Sequence, residues 1–149
     1  MANRIKIATI GAKAKTGNLG TGDPALEAMM AHWRSRFDQV WPGQPDIVVV
    51  PECCDRYPAH SPEERRTYYR HRGDIIRDFF AHMAREHRCY ITYPAVREMS
   101  DGSWRNSLQM LDRNGDVTGV YDKNFPVITE TTDAGILCGS DASLIECDF

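Results

Sequence analysis

Long apolar runs are missing from the sequence. Nothing in its 149 residues approaches the roughly 20 consecutive apolar residues of a membrane-spanning helix. From Met1 the chain passes into a charged, strand-like segment instead of the apolar stretch of a secretory leader. A cytoplasmic protein without a membrane partner is therefore expected. Excess positive charge is missing too: the net charge is -3, which argues against a nucleic-acid surface. Basic residues gather only between Arg65 and Arg72, where Glu63, Glu64 and Asp74 dilute them, and this reads as a solvated helix face. No CxxC pair is present, and the five cysteines (53, 54, 89, 138 and 147) are an odd number. That pattern suits reduced thiols better than a disulfide framework or a structural zinc site. Low-complexity tracts are also lacking, and 42% hydrophobic with 26% charged residues suits one folded domain. The Gly-rich stretch from Gly11 to Gly22 lacks the GxxxxGK[ST] order of a phosphate loop and reads as a flexible connection.

What is present is organised around Asp46 to Asp55, DIVVVPECCD. An apolar run rich in β-branched residues suits a strand covered on both faces. Pro51 stops it, since proline cannot donate to a sheet ladder, and delivers Glu52 just past the strand's carboxyl end. That edge of an open α/β sheet is where ligands bind. A partly buried carboxylate there is a candidate general base, because burial raises its pKa toward working pH. The plainer alternative is an ordinary acidic loop residue. Cys53 and Cys54 read as two small apolar thiols packed at the strand end.

Around this stretch the periodicity sets out an α/β chain. Ile5 to Ile10 reads as a first strand, and Asp23 with Pro24 opens a helix whose Leu26, Met29, Met30, Trp33, Phe37 and Val40 form one apolar face. Ser61, Pro62 and Glu64 make a capping-box pattern for a second helix, and Gly73 interrupts it. Asp74 starts a third, with Ile75, Ile76, Phe79, Phe80 and Met83 on one side. Histidines 71, 82 and 87 share no ligand spacing and read as surface residues rather than a metal site. Strands follow at Cys89 to Val96 and Ser107 to Leu111. Asn114-Gly115 then turns a hairpin into Val117 to Tyr121. Its outgoing strand delivers Lys123, and a last strand is expected over Ser143 to Cys147.

Pro51-Glu52 after a strand, Asn106-Ser107 at the start of a hairpin, and the YxK of Tyr121, Asp122 and Lys123, in that order, resemble the nitrilase superfamily of carbon-nitrogen hydrolases. The resemblance implies an α/β fold, part of a four-layer α-β-β-α sandwich. It implies a glutamate, lysine and cysteine mechanism on a small amide, carbamoyl or nitrile substrate, with no metal or organic cofactor, in a protein that forms homo-oligomers. By motif, Glu52 is the general base, Lys123 faces the developing oxyanion, and Glu130 is the second glutamate that positions substrate. A fixed ammonium in a dry site acts strongly on developing charge whatever the family. Glu130 also reads as a solvated loop carboxylate.

The departure from the pattern is the nucleophile. The family's cysteine follows a further strand in a G-[IV]-x-[IV]-C context, which does not occur here. Cys147 in IECDF comes too soon after Lys123, and the other four thiols fit no better. The expectation is residues 1–149 as an incomplete, N-terminal portion of such a domain, truncated before the cysteine and inactive in isolation, with uncovered sheet edges and apolar faces. A non-catalytic α/β binding or assembly module is the alternative. Arg65, Arg66, Tyr68 and Tyr69 are expected on an exposed helix face, with a rim for an anionic group as the second reading.

Overall fold

The computed structural model describes residues 4–142 and 144–149. A five-stranded mixed sheet runs in the order β1 (Ile7–Thr9), β2 (Ile47–Val49), β3 (Tyr90–Glu98), β4 (Trp104–Leu111), β5 (Val117–Asp122). β1, β2 and β3 are parallel, and β3, β4 and β5 antiparallel. The parallel steps are bridged by α1 (Asp23–Phe37) between β1 and β2, and by α2 (Pro62–Arg72) with α3 (Ile75–His87) between β2 and β3. A short α4 (Ile128–Thr132) follows β5.

α1 and α3 cover one face of the sheet because their apolar residues recur at helical spacing. Trp33, Phe37 and Phe80 meet with ring centroids 5.0 to 5.9 Å apart, and Phe80 lies 5.1 Å from Tyr93 of β3. Register explains which strand residues join them. Ala8, Val48 and Ile91 are cross-strand partners, and both Val48 and Ile91 are fully buried. Their neighbours on the other face, Ile7, Ile47 and Tyr90, form the next row. There Ile7 is 64% exposed and Ile47 only half-buried.

Two-sided burial of β2 is thus corrected: one face is dry, the other only half-buried. The chain end touches this second face, with Phe149 against the Tyr90 ring at 5.3 Å and Ile145 against Gly119. The expected strand over Ser143 to Cys147 is not formed from Leu144 to Cys147, and Ser143 lies outside the described residues.

The exposed helix face expected for Arg65 to Arg72 holds at Arg66 and Arg70 and is corrected elsewhere. Tyr68, Tyr69 and Arg72 are buried. Arg72 Nη1 donates to Asp55 Oδ2 at 2.7 Å and Nη2 to the Val96 carbonyl at 2.7 Å, while the Tyr93 hydroxyl donates to Asp55 at 2.6 Å. Burial of a guanidinium is tolerated because a carboxylate 17 residues earlier meets it in the same dry space. The Ser61-Glu64 capping box forms as the sequence indicates.

Candidate active site

Glu52 sits in a loop tied down from several sides. Before it, the Val50 amide donates to Thr92 Oγ1 at 3.1 Å. After it, Cys53 turns through a φ of 49°, the Cys54 amide donates to the Pro94 carbonyl at 3.0 Å, and Trp33 Nε1 donates to the Cys54 carbonyl at 3.0 Å. Tyr57 reaches the Ala25 carbonyl of α1 at 2.6 Å. The strand end, α1 and β3 therefore all fix this loop.

Lys123 arrives from the opposite direction, one residue past β5. Its amide donates to the Asn106 carbonyl at 2.8 Å, extending the β4–β5 ladder, and its own carbonyl accepts from the Gly139 amide at 2.9 Å. Strand alternation turns Asn106 and Lys123 away from α1 and α3. Glu130 comes from α4, where its carboxylate reaches back to the Val127 amide at the helix start, 2.8 Å away.

The three side chains converge. Lys123 Nζ donates to Glu52 Oε1 at 2.7 Å and to Glu130 Oε2 at 2.9 Å. Asn106 Nδ2 spans the same two carboxylates, 2.8 Å from Glu52 Oε1 and 2.8 Å from Glu130 Oε1. Two acceptors on one atom place the amide nitrogen there, since only its NH₂ donates. Sequence reasoning quotes Asn106 as part of a motif but misses this bridging role, which no local pattern shows.

The electrostatics follow from these bonds. Hydrogen bonds to Glu52 and Glu130 hold the Lys123 ammonium well above its ordinary pKa, so it stays charged. Burial alone would raise the Glu130 carboxyl, but Lys123, the Val127 amide and Asn106 outweigh it and hold it below the usual range. Glu52 departs from the expected partly buried base: its side chain is 57% exposed. The carboxylates differ in another way. Both oxygens of Glu130 accept bonds, whereas Glu52 Oε2 has no partner among the described residues.

A cavity of about 240 Å³ opens beside Glu130, walled by Tyr69, Val96, Trp104 and Ile136 and rimmed by Arg56, Arg65 and Arg66. Of the thiols, Cys53 lines this cavity, and burial pushes it up to about 12. Burial likewise raises Cys54, Cys89 (to about 11) and Cys147. Such thiols stay protonated near neutrality. Cys138 is exposed. Among the described residues no group of three or more His, Cys, Asp or Glu is placed to hold a metal ion, and no helix is long and apolar enough to cross a membrane.

No protein-family model matches the sequence, and no curated protein matches it. Solved structures do. A carbon-nitrogen hydrolase from Helicobacter pylori G27 has a TM-score of 0.72 at 13% identity, covering 91% of this chain and 45% of that one. An N-terminal amidase with a Gln-Val peptide has a TM-score of 0.73 at 18% identity, covering 91% of this chain and 31% of its own. The C. elegans NitFhit protein gives 0.68 at 14% identity, over 92% and 34%. This chain thus spans less than half the length of each. At these identities the likeness is one of fold: the chain has the α/β fold of the nitrilase-like carbon-nitrogen hydrolases, over part of the length of those proteins.

Proposed function

We propose that residues 1–149 form the N-terminal portion of a carbon-nitrogen hydrolase domain that cleaves a small amide, carbamoyl or nitrile C–N bond through a cysteine acyl intermediate. The observation that carries this reading is Lys123 Nζ held between Glu52 and Glu130 at 2.7 and 2.9 Å. Support for the partial domain comes from the open sheet face and from coverage of 31 to 45% of the related chains.

In this reading Glu52 is the base because its Oε2 is the carboxylate oxygen left free to accept a proton. It takes the thiol proton, the thiolate attacks the carbonyl carbon, and Glu52 returns the proton to the departing amine. It then draws a proton from the water that cleaves the thioester. An ammonium has three N–H donors. Two of those on Lys123 go to carboxylates, and the third serves the oxyanion. Glu130, fully bonded, positions Lys123 and Asn106.

The attacking sulfur is none of this chain's five cysteines, so the chain alone performs no turnover. The raised Cys53 thiol favours this, and it equally favours a second reading, an assembly module that has lost its chemistry. Self-association through the uncovered sheet face fits either.

The test is ammonia release from simple amides by a chimera joining residues 1–149 to the remaining part of a hydrolase of this fold. Glu52→Gln is expected to lower kcat by roughly 10²- to 10⁴-fold and Lys123→Ala by about 10²- to 10³-fold. Turnover retained in either variant would refute the assignment.

A further inference from the structure

We infer that the cleft between the end of β1 and the last turns of α1 binds a phosphoryl group, as free phosphate or as the phosphate of a small monoester. This site shares no side chain with the cluster at Glu52 and Lys123, and it stands whether or not that cluster is a hydrolase centre.

The cleft, of about 370 Å³, is lined by Thr9 to Lys13 on one side and by Arg36, Gln39 and Val40 on the other, with no carboxylate among them. β1 is an edge strand, so the chain leaving it has no strand on its outer side. The Ile10 amide still donates to the Val49 carbonyl at 2.9 Å, but among the described residues the amides of Gly11, Ala12 and Lys13 find no acceptor. Arg36 comes from the opposite wall, and its Nε is buried with no acceptor either. A cation in the last turn of α1 suits the helix dipole, which accounts for the charge there and leaves the buried donor unexplained. Arg70, Arg72, Arg77, Arg97 and Arg113 each hold a carboxylate of this chain. Among the described residues Arg36 and Lys13 hold none.

Donors without acceptors on both walls of one cleft require an anion with several oxygens. A carboxylate satisfies one guanidinium edge and has little left to offer, whereas a phosphate has further oxygens for an ammonium and for backbone amides. It also carries close to two negative charges near neutrality. The positive field extends past the cleft. Burial, Arg36 and Lys15 together hold the His32 imidazole below its ordinary pKa, so both cations stand near that ring. The stretch from Gly11 to Gly22 lacks the order of a phosphate loop, and α1 starts only at Asp23. The anion is therefore held between an edge strand and the flank of a helix, not at a helix N-terminus.

The experiment is calorimetric titration of the 149-residue chain with inorganic phosphate, phenyl phosphate and acetate at one ionic strength, beside an NMR titration of the His32 imidazole with and without phosphate. Arg36→Gln and Lys13→Gln are compared with Arg34→Gln, and circular dichroism checks each fold. Arg34 is the control because it shares the last turn of α1 but lies over the Phe79 ring, outside the cleft. Phosphate is expected to bind saturably, at least about tenfold more tightly than acetate, and to raise the His32 pKa by offsetting the two cations. Arg36→Gln is expected to weaken phosphate by about tenfold or more, as loss of one charge-assisted bond does. Lys13→Gln weakens it less, and Arg34→Gln leaves it unchanged. Phenyl phosphate bound at least as tightly as inorganic phosphate assigns the site to a monoester, and the reverse order assigns it to the free anion. No saturable binding, acetate bound as tightly as phosphate, an unmoved His32 pKa, or equal weakening by Arg34→Gln and Arg36→Gln overturns the proposal. The His32 titration is made on the wild-type chain, so it decides even where a variant does not fold.

Discussion

Replacing Lys123 by Met keeps most of the length of the side chain and removes its charged end, which isolates the two bonds that organise the site. Their weights differ. Glu52 is 57% exposed, so its bond to Lys123 contributes about 0.2–1 kcal/mol. Glu130 is 16% exposed and Lys123 25%, so their bond lies nearer to about 1.5 kcal/mol, the lower end for a charge-assisted pair. The expected loss is about 2 kcal/mol, or roughly a 4–8 °C fall in Tm for a chain of this size. The loss depends on pH. Glu130 has a folded-state pKa depressed below its ordinary 4.5, so its contribution is present above that value and vanishes as pH falls through the depressed one. Lys123, raised above its ordinary 10.5, contributes fully below that pH and loses its contribution only as pH climbs through the raised value. Without Lys123, burial of Glu130 is opposed only by Asn106 and the Val127 amide, so its carboxyl moves up. Thermal melts of both proteins at about pH 7 and about pH 4 should therefore show a deficit that shrinks in acid. An equal deficit at both, or none near neutrality, would refute the reasoning and leave only lost packing.

Breaking the buried Asp55–Arg72 pair with Arg72→Met leaves Asp55, 1% exposed, as an uncompensated charge beside the Glu52 loop. Denaturant unfolding should show a loss of about 3–5 kcal/mol, larger than for Arg70→Met, whose partner Glu98 is more exposed. Gly139→Ala would drive its methyl into the carbonyl of Asp122, directly before Lys123. A loss of about 1–3 kcal/mol is expected, with amide chemical shifts of Lys123 and Asn106 displaced; unchanged shifts would contradict the close approach.

Most of the sheet and its helices were legible because apolar spacing is a local property. Trp33, Phe37, Phe80 and Met83 are core residues on the spacing alone. Errors arose where a partner from elsewhere decides. Tyr68 and Tyr69 lie in a charged helix and read as solvated, yet Tyr68 packs on the Tyr57 ring and Tyr69 on Trp104 and the buried Arg72 guanidinium. β2 reads as covered twice because four apolar residues follow one another, but composition cannot say whether a second layer is present. Leu144 to Cys147 has strand-like residues but pairs with no strand among the described residues, and Leu144 is 96% exposed. The motifs give the positions of Glu52, Lys123 and Glu130 in the sequence. Their convergence on one nitrogen, and the bridging Asn106, came only from the fold.

The central claim is that Glu52 and Lys123 act on a sulfur contributed from outside these residues. Mass spectrometry of the chimera, quenched during turnover of an amide, reads it directly by locating the acyl group. The account predicts a single adduct on a cysteine of the added portion, abolished by Glu52→Gln. An adduct on Cys53, Cys54, Cys89, Cys138 or Cys147, or one formed equally in Glu52→Gln, would contradict it.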